Sequence, residues 1–319
     1  MLVARVFPVV FMGRIVALAG GVGAARLLRG LVRVVSPEDV AVVGNVGDDF
    51  EFHGLHVCPD LDIVLYTLAG LVDGERGYGV AGDTFMCLDM LAELGFEVWF
   101  RLGDKDIVVQ MVRTDMLNSG VSLSEAVAEL CRLLGVKSRL MPVTNDYLRT
   151  VIVASCGRLS FQEYFVKRAA KDEVLEVMFE GNDCAKPAPG VVEAISNAER
   201  IVVCPSNPIL SVNPILSVPG VREALKQTNA RIVAVSPLIG GKTVKGPADR
   251  IMKSLGLEAS AYGVAEMYSD FLDHMIIDNA DEELGMSIRR LGMKVSLVDT
   301  FMRDVEASVS LARAVMAAE

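Results

Sequence analysis

The sequence predicts a doubly wound α/β fold, a mostly parallel sheet with helices on both faces and a small antiparallel excursion. Three observations lead there. Apolar residues make up 52% of the 319 residues and aromatics only 6%, with Val, Leu, Ala and Gly dominant, as buried parallel strands covered by helices require. Short β-rich runs alternate with stretches of helical spacing almost from end to end, which implies right-handed βαβ units. Strand after strand also leads into a loop rich in Gly, Asn, Ser, Asp or Pro, at the edge where an open α/β sheet holds its ligand.

Taken in order, residues 1–12 are apolar apart from Arg5 and are interrupted by Pro8. This stretch is expected to be a leading extension (residues 1–14), with a start at Met12, and neither a secretory signal nor a membrane span. Residues 15–319 are expected to form one α/β domain. Residues 15–19 predict a buried strand, Gly20-Gly21-Val22-Gly23 a loop, and the stretch to Val34 a helix. A second strand at 40–43 ends in Gly44-Asn45-Val46-Gly47-Asp48-Asp49. Helical spacing covers 61–71 and 84–94. A short strand is expected at 98–100 before Arg101-Leu102-Gly103-Asp104-Lys105-Asp106. Ser122 with Glu125 forms a capping-box signal for a helix to about Leu134. Between about 148 and 180, runs at 151–154, 159–165 and 174–179 suggest an antiparallel excursion on the main sheet. Strands at 201–204 and 232–235 follow, ending in Pro205-Ser206-Asn207-Pro208 and Ser236-Pro237-Leu238-Ile239-Gly240-Gly241-Lys242. A strand at 294–298 precedes a last helix from about Arg303.

The formal net charge is −10 and no basic stripe stands out, which excludes a nucleic-acid footprint. Six scattered cysteines without a C-x-x-C pair argue against disulfides and zinc and fit a reducing compartment, the cytoplasm. His53 and His56 could share a helical face but suit ordinary loop or core positions as well. Three histidines give no Ser-His-Asp or Cys-His constellation.

The first glycine loop lets backbone amides and a helix N-terminus approach an anion. It fits the dinucleotide fingerprint badly, because Arg26 stands where a small residue should allow close packing and the second strand ends in Gly44-Asn45 with no ribose-binding carboxylate. That argues against a nicotinamide-dependent oxidoreductase. Asp48 and Asp49 are adjacent acids at a strand end, a natural partner for Mg²⁺ and phosphate oxygens, although either aspartate alone could cap a turn. Asp60 could cap its helix or bond a substrate hydroxyl, and Arg101 could face a ligand or solvent. Ser206 and Asn207 suit recognition of a nucleobase or ribose, or simply a turn. What remains is chemistry by positioning and charge neutralisation, the usual route of phosphoryl transfer.

Together these motifs resemble the 2-phospho-L-lactate transferase family. The resemblance rests on ALAGGVGAARLLRG (17–30), VVGNVGDDFEFHGLHVCPDLDIVLYTLAG (42–70), GDTF (82–85), RLGDKD (101–106), FQEYFV (161–166), PSNPILSVNPILSVPGVREAL (205–225) and SPLIGGKTVKGPAD (236–249). It spans roughly residues 15–300 in order, and these motifs show no departure. It implies a Rossmann-like fold, usually a homodimer, that acts in coenzyme F(420) biosynthesis. Members move a 2-phospholactyl or phosphoenolpyruvyl group from a guanosine diphosphate adduct of lactate (or its enol counterpart) to the ribityl hydroxyl of the deazaflavin Fo. GMP leaves and Mg²⁺ is required. Carried over, Asp60 and Arg101 are Fo-binding residues, and Asp48 is the metal ligand with Asp49 beside it. Gly21 and Gly23 face the diphosphate, with Asn45 at the next strand end, while Ser206 and Asn207 contact the guanosine side. Asp48, Asp49 and Asp60 are then the candidate catalytic carboxylates. The gluconeogenesis-factor family, which binds UDP-sugars, shares the glycine loop and the 236–249 segment; residues 58–106 favour the transferase reading.

Overall fold

Strands made almost wholly of Val, Ile, Leu and Ala carry no polar face, so they are stable only when covered on both sides. The computed structural model, which describes residues 14–74 and 77–319, builds its main sheet from such strands. They are β1 (Ile15–Ala19), β2 (Val40–Gly44), β3 (Arg139–Pro142), β4 (Arg200–Val203), β5 (Arg231–Val235), β6 (His274–Asp278) and β7 (Lys294–Val298). Their order is β7-β6-β5-β4-β1-β2-β3 and every pairing is parallel. All five residues of β1 and of β2 are buried. The doubly wound expectation is met.

In this order β1 is the switch point. From it the chain winds outward through β2 and β3 on one side, then returns to wind through β4 to β7 on the other. Loops leaving β1 and β4 therefore diverge and leave a crevice at their carboxyl ends. Register aligns those ends, with Ala19 opposite Gly44 and Leu18 opposite Val203. Four helices matter for the crevice: α1 (Gly21–Val34), α2 (Pro59–Leu68), α3 (Asp104–Asn118) and the last helix, α4 (Val305–Ala317). α1 packs against both α2 and α4. The helix Leu123–Leu133 begins with the capping box that Ser122 and Glu125 predict.

Several elements depart from expectation. Strands β3 and β6 were not anticipated: the first is only four residues ending in Pro142, and the second starts at His274 and ends at Asp278. Residues 98–100 form no strand; Val98, Trp99 and Phe100 instead pack on a small separate core of Phe52, Val57, Leu88 and Leu102. The stretch 159–165 is a strand only to Ser160. There the Glu163 carboxylate accepts from the Ser160 amide and hydroxyl, both at 2.8 Å, and turns the chain into a wide helical turn over Glu163–Lys167. The excursion also stands apart from the main sheet, as a three-stranded antiparallel sheet of Gly157–Ser160, Arg149–Ala154 and Val174–Glu180. His53 and His56 lie in a hairpin, Phe50–Phe52 with Leu55–Val57, and share no helical face. The leading extension falls outside the described residues, apart from Arg14. No helix among the described residues is long and apolar enough to cross a membrane.

Candidate active site

The crevice opens into a cleft of about 740 Å³, a size that encloses ligands of several rings. Its floor is the first crossover. Gly21 has φ of +72°, a conformation open to glycine and strained for other residues. Gly23 sits so close to the loop after β4 that any side chain would strike the Pro205 carbonyl. The Gly20 amide donates to Ser206 Oγ at 3.2 Å, which ties the loop of β1 to that of β4 across the switch point. Amides of the first turn of α1 thus line the cleft. Arg26, one turn further on, lines it as well, and so does Lys245 from the loop after β5. Burial, followed by the charge of Arg26, lowers the pKa of the Lys245 ammonium. Two cations held together beside backbone amides form an anion site, and the arginine that spoils a dinucleotide fingerprint becomes part of it.

Two acids stand beside this floor. Asp48 leaves the β2 loop and Asp60 the first turn of α2; they are 4% and 6% exposed. Asn45, fully buried beneath them, donates its amide to Asp48 Oδ1 at 3.2 Å and to Asp60 Oδ2 at 2.9 Å. Its own Oδ1 accepts from the Gly47 amide at 2.7 Å, which fixes its orientation. Gln162, from the excursion, donates to Asp48 Oδ2 at 3.2 Å. Burial, then the charges of Asp60 and Asp49, hold the Asp48 carboxyl well above the usual carboxylate range. Burial likewise pushes Asp60 up to about 6, against the pull of its bond from Asn45. Closely set, buried carboxylates with raised pKa values mark a place where a cation or a proton belongs.

The sheet order puts different materials on the two sides of this floor. Beyond β4 come the polar Ser206, Asn207, Ser236 and Thr300 on strand-end turns, with the apolar Pro237, Ile239, Phe301 and Met302 between them. Asn207 Oδ1 caps the turn Pro208–Val212 by accepting from Ile209 and Leu210 amides at 3.0 and 3.2 Å. On the β2 side the wall is aromatic: Phe85, Trp99, Phe100 and the stacked pair Phe161 and Phe165, whose rings lie 5.5 Å apart and 9° from parallel. The Arg101 guanidinium sits 4.3 Å over the Phe85 ring. Beneath that wall runs a polar network. Arg113, 0% exposed, holds Asp62 with both of its terminal nitrogens and donates to Gln110 Oε1 at 2.6 Å, while Gln110 donates to Asp62 Oδ2 at 2.9 Å. Tyr66 donates to Asp106 Oδ1 at 2.5 Å, and burial raises Asp106 to about 6 even so.

Of the residues predicted from sequence, Gly21, Gly23, Asp48, Asp60, Arg101, Ser206 and Asn207 line one cleft. Asn45 lies under it as the clamp between two acids. Asp49 lies outside its lining, 2% exposed, and faces an adjoining crevice of about 370 Å³. Sequence reasoning missed Gln162, Lys245, the Asp62–Gln110–Arg113 network and the aromatic wall. One signal was available: Asp62 and Tyr66 are four apart on α2 and both buried, so one polar face of that helix points inward.

The chain matches the model of the family described as 2-phospho-L-lactate transferase CofD over residues 15–313. It is 42% identical over 311 residues to a phosphoenolpyruvate transferase of Kitasatospora aureofaciens, covering 95% of this chain and 97% of that protein. It is equally 42% identical over 299 residues to a 2-phospho-L-lactate transferase of Methanothermobacter thermautotrophicus, covering 94% and 96%. Among solved structures, a UPF0052 family member from Bacillus halodurans superposes with a TM-score of 0.61 at 19% identity, over 95% of this chain and 98% of that one, a likeness of fold alone. The chain therefore belongs to the 2-phospho-L-lactate transferase family and is an enzyme of that type, a transferase of coenzyme F(420) biosynthesis.

Proposed function

We propose that this enzyme moves a 2-phospholactyl or phosphoenolpyruvyl group from a guanosine diphosphate adduct to the ribityl hydroxyl of Fo, and that GMP is released. One observation carries the reading: an anion floor of amides, Arg26 and Lys245, flanked by two buried acids, separates an aromatic wall from a wall of small polar turns. A flat tricycle fits the first wall and a nucleoside the second, so the hydroxyl and the diphosphate meet above the floor.

In this reading the hydroxyl oxygen attacks the phosphorus that bears the lactyl or enolpyruvyl group. The bond from that phosphorus to the GMP oxygen breaks, and GMP departs with the electron pair. Asp60, raised to about 6 and lining the cleft, receives the hydroxyl proton. Asp49 lies outside that lining. Gly21 and Gly23 hold the diphosphate, Arg101 and the aromatic wall hold Fo, and Ser206 and Asn207 hold the guanosine. Asp48, an oxygen donor clamped by Asn45 and set beside the second acid, fits Mg²⁺ as its protein ligand. When bound, Mg²⁺ supplies charge neutralisation for the phosphoryl oxygens.

The test mixes purified protein, Mg²⁺, Fo and the lactyl or enolpyruvyl diphosphoguanosine, and follows GMP release together with the mass of the Fo product. GMP release that depends on Fo supports the proposal. Saturable binding of a UDP-sugar with no affinity for Fo would replace it with a regulatory nucleotide-sugar reading. We also infer a homodimer. Met86, Met90, Leu94, Phe96, Val108 and Met111 stand exposed together on Met86–Glu93, α3 and their connection, an apolar surface that a lone chain seldom leaves in water. A monomeric mass by light scattering at micromolar concentration would end that inference. A cytoplasmic setting suits the exposed free thiols of Cys87, Cys156 and Cys184, and cell fractionation checks it.

A further inference from the structure

Behind Asp48 the chain makes the hairpin Phe50–Phe52 with Leu55–Val57 and comes back on itself. This return brings His56 and Cys58 to Asp49. One carboxylate oxygen, one ring nitrogen and the thiol sulfur all lie within 4.8 Å of one another. His56 Nε2 is 3.5 Å from Asp49 Oδ2. Asp49 is 2% exposed and Cys58 0%. Neither oxygen of Asp49, nor Nε2 of His56, has a nitrogen or oxygen hydrogen-bond partner among the described residues, although all three atoms are buried; the Cys58 thiol, a weak donor, is what faces Asp49. A buried carboxyl group with only a weak thiol donor beside it is costly to a fold, and a set so poorly partnered asks for an unseen partner.

The geometry points to a metal site in which Asp49, His56 and Cys58 bind one divalent ion, zinc by its donor set, outside the lining of the substrate cleft. Sulfur, imidazole and carboxylate together are a borderline-soft set that suits zinc and its spectroscopic substitute cobalt, whereas the hard oxygens of Asp48 and Asp60 do not. A tetrahedral zinc with bonds of about 2.0–2.3 Å holds its ligand atoms roughly 3.3–3.8 Å apart. The His56–Asp49 pair, at 3.5 Å, already meets that spacing, and the other pairs, none beyond 4.8 Å, close by at most about 1.5 Å. Charge also balances: a thiolate and a carboxylate neutralise the ion, so the buried cluster becomes neutral. Nearby, Arg113 is already engaged by Asp62. The thiolate would stand at the N-cap of α2, whose dipole favours it. The backbone of His56 is held on both sides, its amide donating to Thr114 Oγ1 at 2.8 Å and its carbonyl accepting from Arg113 at 3.4 Å. Its side chain keeps 19% exposure, with Nε2 itself buried and turned towards Asp49.

Reading the cysteines alone argued against zinc, because that reading looks for paired thiols. The set here is mixed and lies wholly within residues 49–58, one acid, one imidazole and one thiol brought together by a tight hairpin.

The experiment titrates the chelator-treated full chain with Co²⁺ alone and records its absorption, then repeats the titration with Cys58→Ser and His56→Gln. The expected result is saturation near about one equivalent, with a near-ultraviolet thiolate-to-cobalt band and visible bands of tetrahedral intensity, reversed by stoichiometric Zn²⁺. Cys58→Ser abolishes the thiolate band. His56→Gln, at a part-exposed position that the fold tolerates, weakens affinity more than about 100-fold, since even outer partners of a metal site are worth about 10- to 100-fold. A native chain that takes up no cobalt overturns the proposal. So does an undiminished thiolate band in Cys58→Ser, which would assign it to Cys87, Cys156 or Cys184. Neither outcome bears on transferase activity, because no substrate is present.

Discussion

On the β4 side, the cleft is walled by turns that leave parallel strands; on the β2 side, by side chains from α2, α3, the stretch 77–103 and the turn that carries Phe161 and Phe165. The first wall inherits its rigidity from the sheet. β4 is buried between β1 and β5, and its loop is pinned to the glycine loop by the bond from the Gly20 amide to Ser206. The second wall has no strand of the main sheet beneath it. It stands on a small core of Phe52, Val57, Leu88 and Leu102 and on the buried ion network of Arg113, Asp62 and Gln110. The difference teaches that one wall of a cleft can be had from the topology of the sheet, whereas the other had to be added with its own supports; under the proposed function the first holds the nucleotide and the second the flat acceptor.

If that is right, damage to the supports of the β2 wall should cost stability and damage at the floor should cost turnover. Arg113→Met has the largest expected effect, because it strands Asp62 as an unpaired buried charge. It should remove about 3–5 kcal/mol of folding free energy, read as a fall in the urea midpoint. A loss under about 1 kcal/mol would mean the network is wetter than its geometry suggests. Asp48→Asn keeps the volume and removes the charge. It should lower kcat by about 10²–10³-fold, the range for losing one preorganised electrostatic contact, and leave Fo affinity unchanged by fluorescence titration. Unchanged turnover at saturating Mg²⁺ would take Asp48 out of the mechanism.

Asp106 gives a pH test of the same wall. Its folded-state pKa, about 6, lies above the ordinary 3.8 because burial disfavours the charge. Between those values the folded chain binds more protons than the unfolded one. The stabilisation is therefore complete below about pH 4 and is lost as pH rises through about 6, amounting to at most about 3 kcal/mol. Asp106→Asn should flatten the stability curve across that window and, above pH 6, be more stable than the native chain. Parallel curves for the two proteins would place the Asp106 charge in water.

The same division explains what could be read in advance. The loop residues Gly21, Gly23, Ser206 and Asn207 announce themselves, because turns at strand ends demand particular residue types and the strand pattern says where those ends are. Asp48 and Asp60 were legible for the same reason. Asn45 was placed on the ligand, whereas it lies beneath as a clamp, since nothing local tells a side chain to point down. The aromatic wall was invisible because Phe85, Trp99 and Phe161 come from three separate segments that pair with no strand of the main sheet. Arg113 and Asp62 are 51 positions apart, a separation no periodicity records, and residues 98–100 had the look of a strand while serving as the roof of a small core. The short strands β3 and β6 escaped because each has a proline or a polar residue at its ends.

The smallest effect belongs to Ser206→Ala, and it separates the walls most cleanly. Ser206 is 3% exposed and accepts one amide proton from Gly20. Its loss leaves that amide without its partner and frees the glycine loop by about 1 kcal/mol, the usual net worth of one such bond. Because the bond joins the floor to the β4 wall alone, the KM of the guanosine donor should rise about fivefold, the factor that about 1 kcal/mol represents. The KM of Fo should not move. An equal rise in both would show that the floor and the aromatic wall move together, and that the bond across the switch point braces the whole cleft and not one side of it.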